Sequence, residues 1–278
     1  MKIRIAHSPD SDDAFMFYPL TKGIIETEGF EFEHVLHDIE TLNKEAFKGT
    51  YEVTAISFHV FPYVSDKYIV LTCGGSVGKG YGPIIVAREK LDSLEGKKIA
   101  IPGRYTTAFL LLKLYEDKFI PVELPFDKIL DEVAKGTVDA GLIIHEGQIS
   151  YKNYGLEKLI DLGKWWEKET SLPTPLGCVA VRRDIGKDNI NKINSLVRRS
   201  IEYSLLNKRP ALEFAINYAR EIKDSFEKTE TFVDMYVNQY TLDYGKEGKE
   251  AVKLLLKLGY DRGIISKEVP PTLFIDEL

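Results

Sequence analysis

The chain has 278 residues, of which 37 are basic and 43 acidic, so its formal net charge is -6 at pH 7. An acidic balance of this kind offers no electrostatic footprint for a nucleic-acid backbone or an anionic membrane surface, and we expect neither partner. The length exceeds that of a usual single domain, which favours two lobes or one large α/β unit.

Cysteine usage and the N-terminal stretch exclude further classes. The 2 cysteines, Cys73 and Cys178, lie far apart and outside CxxC spacing, so we expect no disulfide framework and no zinc site. The stretch MKIRIAHSPDSDDAF turns acidic and lacks the apolar core of a signal peptide. Because no later stretch reaches the roughly 18 apolar residues of a membrane span, we expect a cytoplasmic protein.

Short β-rich runs alternate with helical patterns along the first part of the chain. The predicted strands are IRIAHS, FEFEHVL, VTAIS and YIVLTC, and the predicted helices are DAFMFYPLTKG and IETLNKEAFKG. In the second helix, Leu42, Ala46 and Phe47 form an apolar stripe, and Gly49 supplies the stop. This alternation is typical of βαβ units and a mostly parallel sheet.

A second series of the same kind follows. It comprises a strand at KKIAIPG, helices at TTAFLLLKLYEDK and DKILDEVAKG, and a strand at AGLIIH. From about Asn189 the pattern is mainly helical through AVKLLLKLGY, and the tail KEVPPTLFIDEL predicts an irregular strap.

Two similar segments, GPIIVARE at 82–89 and LGCVAVRRD at 176–184, lie far apart in the chain. Both are apolar and β-branched, and both close on arginine. A chain that leaves one lobe, builds a second and returns needs two such crossing strands, although ordinary buried strands would show the same pattern. We therefore predict one lobe from 1–88 plus 177–278, and an inserted lobe at 89–176.

Polar residues collect where the predicted strands end. The strand ends continue as HSPDSDD, SFH, GGSVGKGYG, RYTT and HEG. Ligands of open parallel sheets sit beyond the carboxyl ends of the strands, so these residues together predict one cleft. Taken singly, each is also compatible with a polar turn or a helix cap.

Two of these strand ends carry backbone features of a binding site. After Gly103, Thr106 or Thr107 can cap a helix that begins at Ala108. The free N–H groups at the start of that helix favour an anion such as a carboxylate. Capping without a ligand would also explain the two threonines. The glycine cluster GGSVGKGYG is not a phosphate loop, because Gly80 follows Lys79 where serine or threonine is required. A loop that approaches a ligand closely is the better interpretation.

The histidines fall into two groups. His34 and His37 are three apart on a predicted strand, so they face opposite sides and form no chelating pair. His7 and His59 sit at strand ends, where a structural role is favoured. His145 closes the apolar strand AGLII, followed by Glu146, which we interpret as structural, and Gly147, which lets the chain turn away.

The quoted motifs carry a resemblance to a known family. SPDSDDAFMFYPL, DIETLN, GKGYGPIIVAR, IPGRYTTAFLL, AGLIIHE and PTPLGCVAVRRD resemble the 1,4-dihydroxy-6-naphthoate synthase family of the futalosine route to menaquinone, over nearly the whole chain. The first turn departs from the family's usual SPCPNDTF, and Ala55 stands where a lysine is often found.

The resemblance implies a two-lobed α/β fold of the type 2 periplasmic-binding-protein kind, with a central cleft and two crossover strands. It implies a carbon–carbon lyase that converts cyclic dehypoxanthinyl futalosine to 1,4-dihydroxy-6-naphthoate without a cofactor or metal. His145 would be the general base. The substrate-binding candidates occupy three strand ends, and they are Ala55, Ile56, Ser57, Gly75, Ser76, Thr106, Thr107 and Ala108.

Two other functions share the expected fold. A solute-binding protein would use the same cleft for a small carboxylate without turning it over. Chorismate dehydratase, a sister enzyme of the same route, is the second alternative. The sequence does not specify the oligomeric state.

Overall fold

The strands form two separate sheets in the computed structural model, which describes residues 1–220 and 222–278, and those at 76–78, 120–123 and 157–161 were not predicted. The strands are β1 (Lys2–His7), β2 (Glu31–Leu36), β3 (Val53–Ser57), β4 (Tyr68–Val70), β5 (Ser76–Gly78), β6 (Ile84–Ala87), β7 (Lys98–Ile101), β8 (Ile120–Glu123), β9 (Ala140–Ile143), β10 (Glu157–Asp161) and β11 (Thr174–Arg182).

The first sheet has the order β2-β1-β3-β11-β4, and β5 also pairs with β11. Strands β1, β2 and β3 are parallel, whereas β11 runs antiparallel to β3, β4 and β5. The sheet is therefore mixed rather than mostly parallel as predicted. The reason is that β11 enters it from the opposite direction, on the chain's return from the second sheet.

The second sheet has the order β10-β6-β9-β7-β8. Strands β7, β8 and β9 are parallel, while β6 runs antiparallel to β9 and β10 runs antiparallel to β6. By sheet membership, the chain passes to the second sheet between β5 and β6 and returns through β11. The lobe boundaries at 88/89 and 176/177 stay a proposal.

Helices cover both sheets. They are α1 (Ser11–Thr21), α2 (Ile39–Lys48), α3 (Phe61–Val64), α4 (Thr107–Tyr115), α5 (Ile129–Lys135), α6 (Gly147–Ser150), α7 (Leu162–Thr170), α8 (Lys187–Leu206), α9 (Lys208–Ala215), α10 (Phe226–Tyr236), α11 (Gln239–Leu242) and α12 (Gly245–Asp261). Short 3-10 turns lie at Phe126–Lys128, Tyr151–Tyr154, Arg183–Ile185, Ile216–Tyr218 and Ile275–Glu277.

Local sequence signals account for the boundaries of α2. The Asp38 side chain caps its start by accepting the N–H of Thr41 at 3.0 Å, and Gly49 ends it in the left-handed conformation at φ 68°. Leu42 and Ala46 are buried on its inner face. The helix therefore begins and ends where its cap residues stand, and this fixes the position of its buried face against β3.

The sheet strands supply the cores of the molecule, since β4, β6 and β9 are buried along their whole length. The C-terminal tail is an irregular strap, as predicted, and its Leu273 carbonyl accepts the N–H of Val70 at 3.0 Å. Among the described residues, no helix combines the length and apolar character needed to cross a bilayer.

Candidate active site

A cavity with about 710 Å³ of empty space, part of it open to solvent, lies where strand ends of both sheets meet. The first sheet contributes the turn after β1, the end of β3, the loop before β5 and the middle of β11. The second sheet contributes the loops that follow β7 and β9. The lining residues are Ser8, Asp12, Asp13, Ile39, Ala55, Ile56, Ser57, Gly74, Ser76, Pro83, Thr106, Thr107, Ala108, Ile144, His145, Leu176, Gly177, Cys178 and Tyr236.

The cavity gathers most of the residues that the sequence singled out. The predicted residues that line it are Ala55, Ile56, Ser57, Ser76, Thr106, Thr107, Ala108 and His145. Gly75 does not line it, and its neighbour Gly74 does. A methyl group on Gly75 would overlap the Tyr244 hydroxyl, so this glycine serves close packing and not the cavity wall.

The hydroxyl of Ser57 is held in place by Asn43, a fully buried residue of α2. The Asn43 side chain accepts the N–H of Ser57 at 2.8 Å, and its amide group donates to the Ser57 Oγ at 3.1 Å. With its oxygen occupied by that donor, the serine can direct its own proton toward a ligand. Ser57 thus offers a positioned donor at the end of β3.

The two threonines at the start of α4 have different environments. The Thr106 hydroxyl caps the helix by accepting the N–H of Phe109 at 3.2 Å, and it donates to the Gly103 carbonyl at 2.8 Å. The Thr107 hydroxyl is buried and has no hydrogen-bond partner among the described residues. Because helix α4 begins here, Thr107 and the free N–H groups beside it form a site suited to an anion.

Gly103, which precedes α4, is closely approached by helix α2, which packs on the first sheet. A methyl group on Gly103 would overlap the carboxylate of Glu40, which belongs to α2. The same carboxylate accepts the N–H of Tyr105 at 3.3 Å. Glu40 therefore ties the first sheet's α2 to the loop that carries Thr106.

His145 stands just beyond β9 in an unusual backbone conformation. The strand ends at Ile143, and His145 has φ 59°, which places a non-glycine residue in the left-handed region. The turn thus occurs at His145, not at Gly147 as predicted. Gly147 is required for packing, since a methyl group there would come within 2.7 Å of the Ile143 side chain.

The imidazole of His145 has one nitrogen near a carboxylate and one directed away from it. Its Nδ1 lies 2.9 Å from Oδ2 of Asp10, while its Nε2 is buried and has no hydrogen-bond partner among the described residues. Burial lowers the pKa of His145, but the negative charge of Asp10 and the contact with it raise that pKa above the ordinary 6.5. Glu146 faces elsewhere, and its carboxylate accepts the N–H of Arg220 at 2.9 Å.

Two buried carboxyl groups from the first turn of α1, those of Asp12 and Asp13, complete this side of the cavity. Asp13 accepts the N–H and the hydroxyl of Ser8, both at 2.8 Å, and burial raises its pKa to about 6. Burial and the charges of Asp13 and Asp10 raise the pKa of Asp12 well above 3.8. One oxygen of Asp12 has no hydrogen-bond partner in the described part of the chain. Burial therefore favours the neutral, protonated form of Asp12.

Three of the four remaining histidines, His7, His34 and His59, have structural contacts. His7 donates from Nδ1 to the Ser8 carbonyl at 2.9 Å, and its Nε2 lies 3.1 Å from Nδ1 of His34. His59 donates to the Thr106 carbonyl at 3.2 Å. Burial lowers the pKa of all three to about 4, so they stay neutral in the fold. No group of three or more metal-ligating side chains is found within the described residues.

With this geometry established, the chain can be compared with known proteins. The family model described as menaquinone biosynthesis matches residues 3–261. The chain belongs to this menaquinone biosynthesis family. The motif-based resemblance is thereby confirmed, and it extends over nearly the whole sequence.

Relatives within the menaquinone biosynthesis family carry a specific name. The chain is 43% identical to the 1,4-dihydroxy-6-naphtoate synthase of Thermus thermophilus, covering 98% of this chain and 99% of the relative. It is 34% identical to the Streptomyces coelicolor protein of the same name, covering 98% and 97%.

Solved structures confirm the two-lobed fold. Protein AF1704 from Archaeoglobus fulgidus is 48% identical in sequence to the chain described here. The two structures superpose with a TM-score of 0.91, and the match covers 95% of this chain and 98% of AF1704. A ligand-binding component of an import system from Staphylococcus aureus superposes with a TM-score of 0.73 at 11% identity, covering 97% and 94%. The second likeness establishes the fold alone, which is the periplasmic-binding-protein-like fold that the sequence predicted.

The sequence interpretation of this menaquinone-family chain missed the acidic side of the site. The run HSPDSDD was noted only as a polar strand end, yet it places Asp10, Asp12 and Asp13 against the cavity and His145. The available signal was the density of carboxylates directly after a buried strand. Tyr236 gave no such signal, because it reaches the cavity from α10, far along the chain.

Proposed function

We propose that the protein is a 1,4-dihydroxy-6-naphthoate synthase that converts cyclic dehypoxanthinyl futalosine to 1,4-dihydroxy-6-naphthoate in the cytoplasm. The observation that carries this proposal is the free Nε2 of His145, in the cavity of a chain 43% identical to a protein of that name. The fold alone would serve a binding protein equally well. His145 Nε2 as the base and the Asp12 carboxyl group as the acid are suited to proton transfer.

The start of α4 is the proposed carboxylate subsite. Thr107 offers an unpaired hydroxyl, and the first N–H groups of the helix provide partial positive charge at the same place. Ser57 offers a second donor across the cavity. A carboxylate bound at Thr107 would fix the aromatic end of the substrate and leave the sugar-derived end for the acidic side.

The chemistry combines two proton transfers with the cleavage of one carbon–carbon bond, and the sugar-derived fragment that gains the carbonyl leaves as the second product. His145 accepts the proton of a substrate hydroxyl at Nε2, and the oxygen's electron pair forms a carbonyl as the adjacent carbon–carbon bond breaks. The electrons of that bond pass into the ring system and leave it aromatic. The oxygen that receives this charge takes a proton from Asp12, so the proton count balances and a cofactor is not needed.

A direct assay tests the function. The purified protein is incubated separately with cyclic dehypoxanthinyl futalosine and with chorismate, and the products are followed by mass spectrometry. We expect 1,4-dihydroxy-6-naphthoate from the first substrate and unchanged chorismate from the second. Dehydration of chorismate, or binding of the first substrate without turnover, would overturn the proposal in favour of the sister enzyme or of a binding protein.

The two threonines allow a matched test of the carboxylate subsite. Thr107→Val should weaken substrate binding by about 1 to 3 kcal/mol, because a hydrogen bond to a charged group is lost, and should leave the melting temperature unchanged. Thr106→Val should instead lower stability by about 1 kcal/mol through loss of the helix cap. Calorimetric binding and thermal melts on both variants check this. An unaltered affinity for Thr107→Val would remove the subsite from the proposal.

A further inference from the structure

The contact between Asp10 and His145 joins the two sheets across the cavity. Asp10 follows β1 of the first sheet, and His145 follows β9 of the second. Their side chains are 2% and 17% exposed, and Oδ2 lies 2.9 Å from Nδ1, an ion-pair contact whose angle is not that of an aligned hydrogen bond. Charged groups this well buried must be compensated, so the pair is a determinant of where the imidazole lies.

The other oxygen of Asp10 faces a cation. Nε of Arg220 lies 3.7 Å from Oδ1, and the guanidinium group of Arg220 stacks over the ring of Phe126 at 4.8 Å. The Phe126 ring in turn packs against the His145 ring at 4.8 Å. Burial raises the pKa of Asp10, but the positive charges of His145 and Arg220 and the contact with Ser8 bring it below its ordinary value. Asp10 is therefore ionised.

We propose that Asp10 is a positioning residue that holds the proton of His145 on Nδ1 and thereby presents the lone pair of Nε2 to the substrate. The assignment rests on the proposed function, in which Nε2 is the base. An ionised carboxylate beside Nδ1 favours the tautomer with its proton there, and only that tautomer leaves Nε2 free to accept. Because the two residues come from different sheets, the base is complete only when both sides of the cavity are in place.

The carboxylate also sets the pH at which the base works. His145 must be neutral to accept a proton, so activity should rise with pH through its ionisation. Asp10 raises the pKa of His145 by stabilising the charged imidazolium, and Arg220 opposes it by charge repulsion. Removing Asp10 should therefore move this ionisation to lower pH, and removing Arg220 should move it to higher pH.

Asp10→Asn and Arg220→Gln form a test with opposite expected outcomes. In Asp10→Asn, kcat should fall roughly 10² to 10⁴-fold with little change in KM, because the amide can donate to Nδ1 and hold the proton on Nε2 instead. The acidic limb of its pH profile should shift to lower pH. In Arg220→Gln, the limb should shift to higher pH with a smaller change in limiting rate. Asp127→Asn, which removes an exposed carboxylate paired with Lys128, should alter neither.

The same ionisation can be followed without turnover. Nuclear magnetic resonance titration of the labelled His145 ring should show the same opposite shifts in both variants. An unchanged His145 midpoint in Asp10→Asn, or a full rate at every pH, would overturn the positioning role. If the wild-type protein shows no turnover but the midpoints shift as expected, the proposed function fails while the pairing of Asp10 with His145 stands. If Asp10→Asn does not fold, the nitrogen chemical shifts of the His145 ring in the wild-type protein decide the matter, since a neutral ring that carries its proton on Nε2 would overturn the positioning role.

Discussion

His145→Asn should reduce turnover of cyclic dehypoxanthinyl futalosine by roughly 10² to 10⁴-fold, the usual contribution of a positioned base. Asparagine is polar and fits a left-handed turn, so the φ of 59° at this position should be kept. The proposed carboxylate subsite lies on α4 and is untouched by the change. Substrate binding should therefore persist while single-turnover chemistry is lost.

A matched histidine separates catalysis from structure. His34→Asn removes a partly buried imidazole that contacts His7 and Thr21, outside the cavity lining. It should lower the melting temperature and leave the rate per folded molecule unchanged. Melting temperature, calorimetric binding and single-turnover rate are measured on both variants. A folded His145→Asn protein with a near-normal rate would contradict the general-base mechanism.

The sequence predicted those parts of the fold that depend on local signals. Helix α2 begins after its cap residue Asp38 and ends at Gly49, and neither signal depends on distant residues. The strands β3, β7 and β9 are likewise recognisable from their apolar sequences alone. Strand ends then located Ser57, Thr107 and His145 at one cavity, because the carboxyl ends of parallel strands lie at one edge. Family membership and fold were confirmed by the comparisons.

The remaining parts depend on contacts between distant segments. Gly75 and Gly74 are adjacent and chemically identical, so only the position of Tyr244 decides which of them lines the cavity. The pairing of Asp10 with His145 needs both sheets in place. No periodicity in the sequence encodes either contact.

The backbone conformation of His145 and the direction of β11 could not be predicted, because both depend on contacts between distant segments. The glycine at 147 suggested a turn there, yet the left-handed residue is His145 at φ 59°, and Gly147 packs against the Ile143 side chain. The first sheet is mixed because β11 returns to it in the antiparallel direction. The sequence pattern of its βαβ units, taken alone, predicts parallel strands. Chain direction at a crossing strand is a property of the whole fold.

Asp12→Asn is expected to lower kcat by roughly 10² to 10³-fold while raising the melting temperature at neutral pH. The amide keeps the shape of the carboxyl but has no proton to release. A carboxyl needed in its neutral form loses activity as pH rises through its pKa, so the alkaline limb of the wild-type profile should disappear in this variant. The raised pKa of Asp12 makes that limb a property of this residue and not of an ordinary aspartate.

The opposite sign of the stability change distinguishes a proton donor from a structural residue. In the unfolded chain Asp12 ionises near 3.8, whereas in the fold burial and the charges of Asp13 and Asp10 oppose ionisation. At a pH between the unfolded-state and folded-state pKa values of Asp12, the folded protein binds more protons than the unfolded chain. The free energy of unfolding therefore falls as pH rises through this range. The Asp12→Asn variant lacks this ionisation, so it should not show that loss of stability. Ser11→Ala, in the same buried turn, serves as the control and should retain the wild-type rate. Should Asp12→Asn keep kcat within about twofold and retain the alkaline limb, the proton that completes the bond cleavage must come from another group.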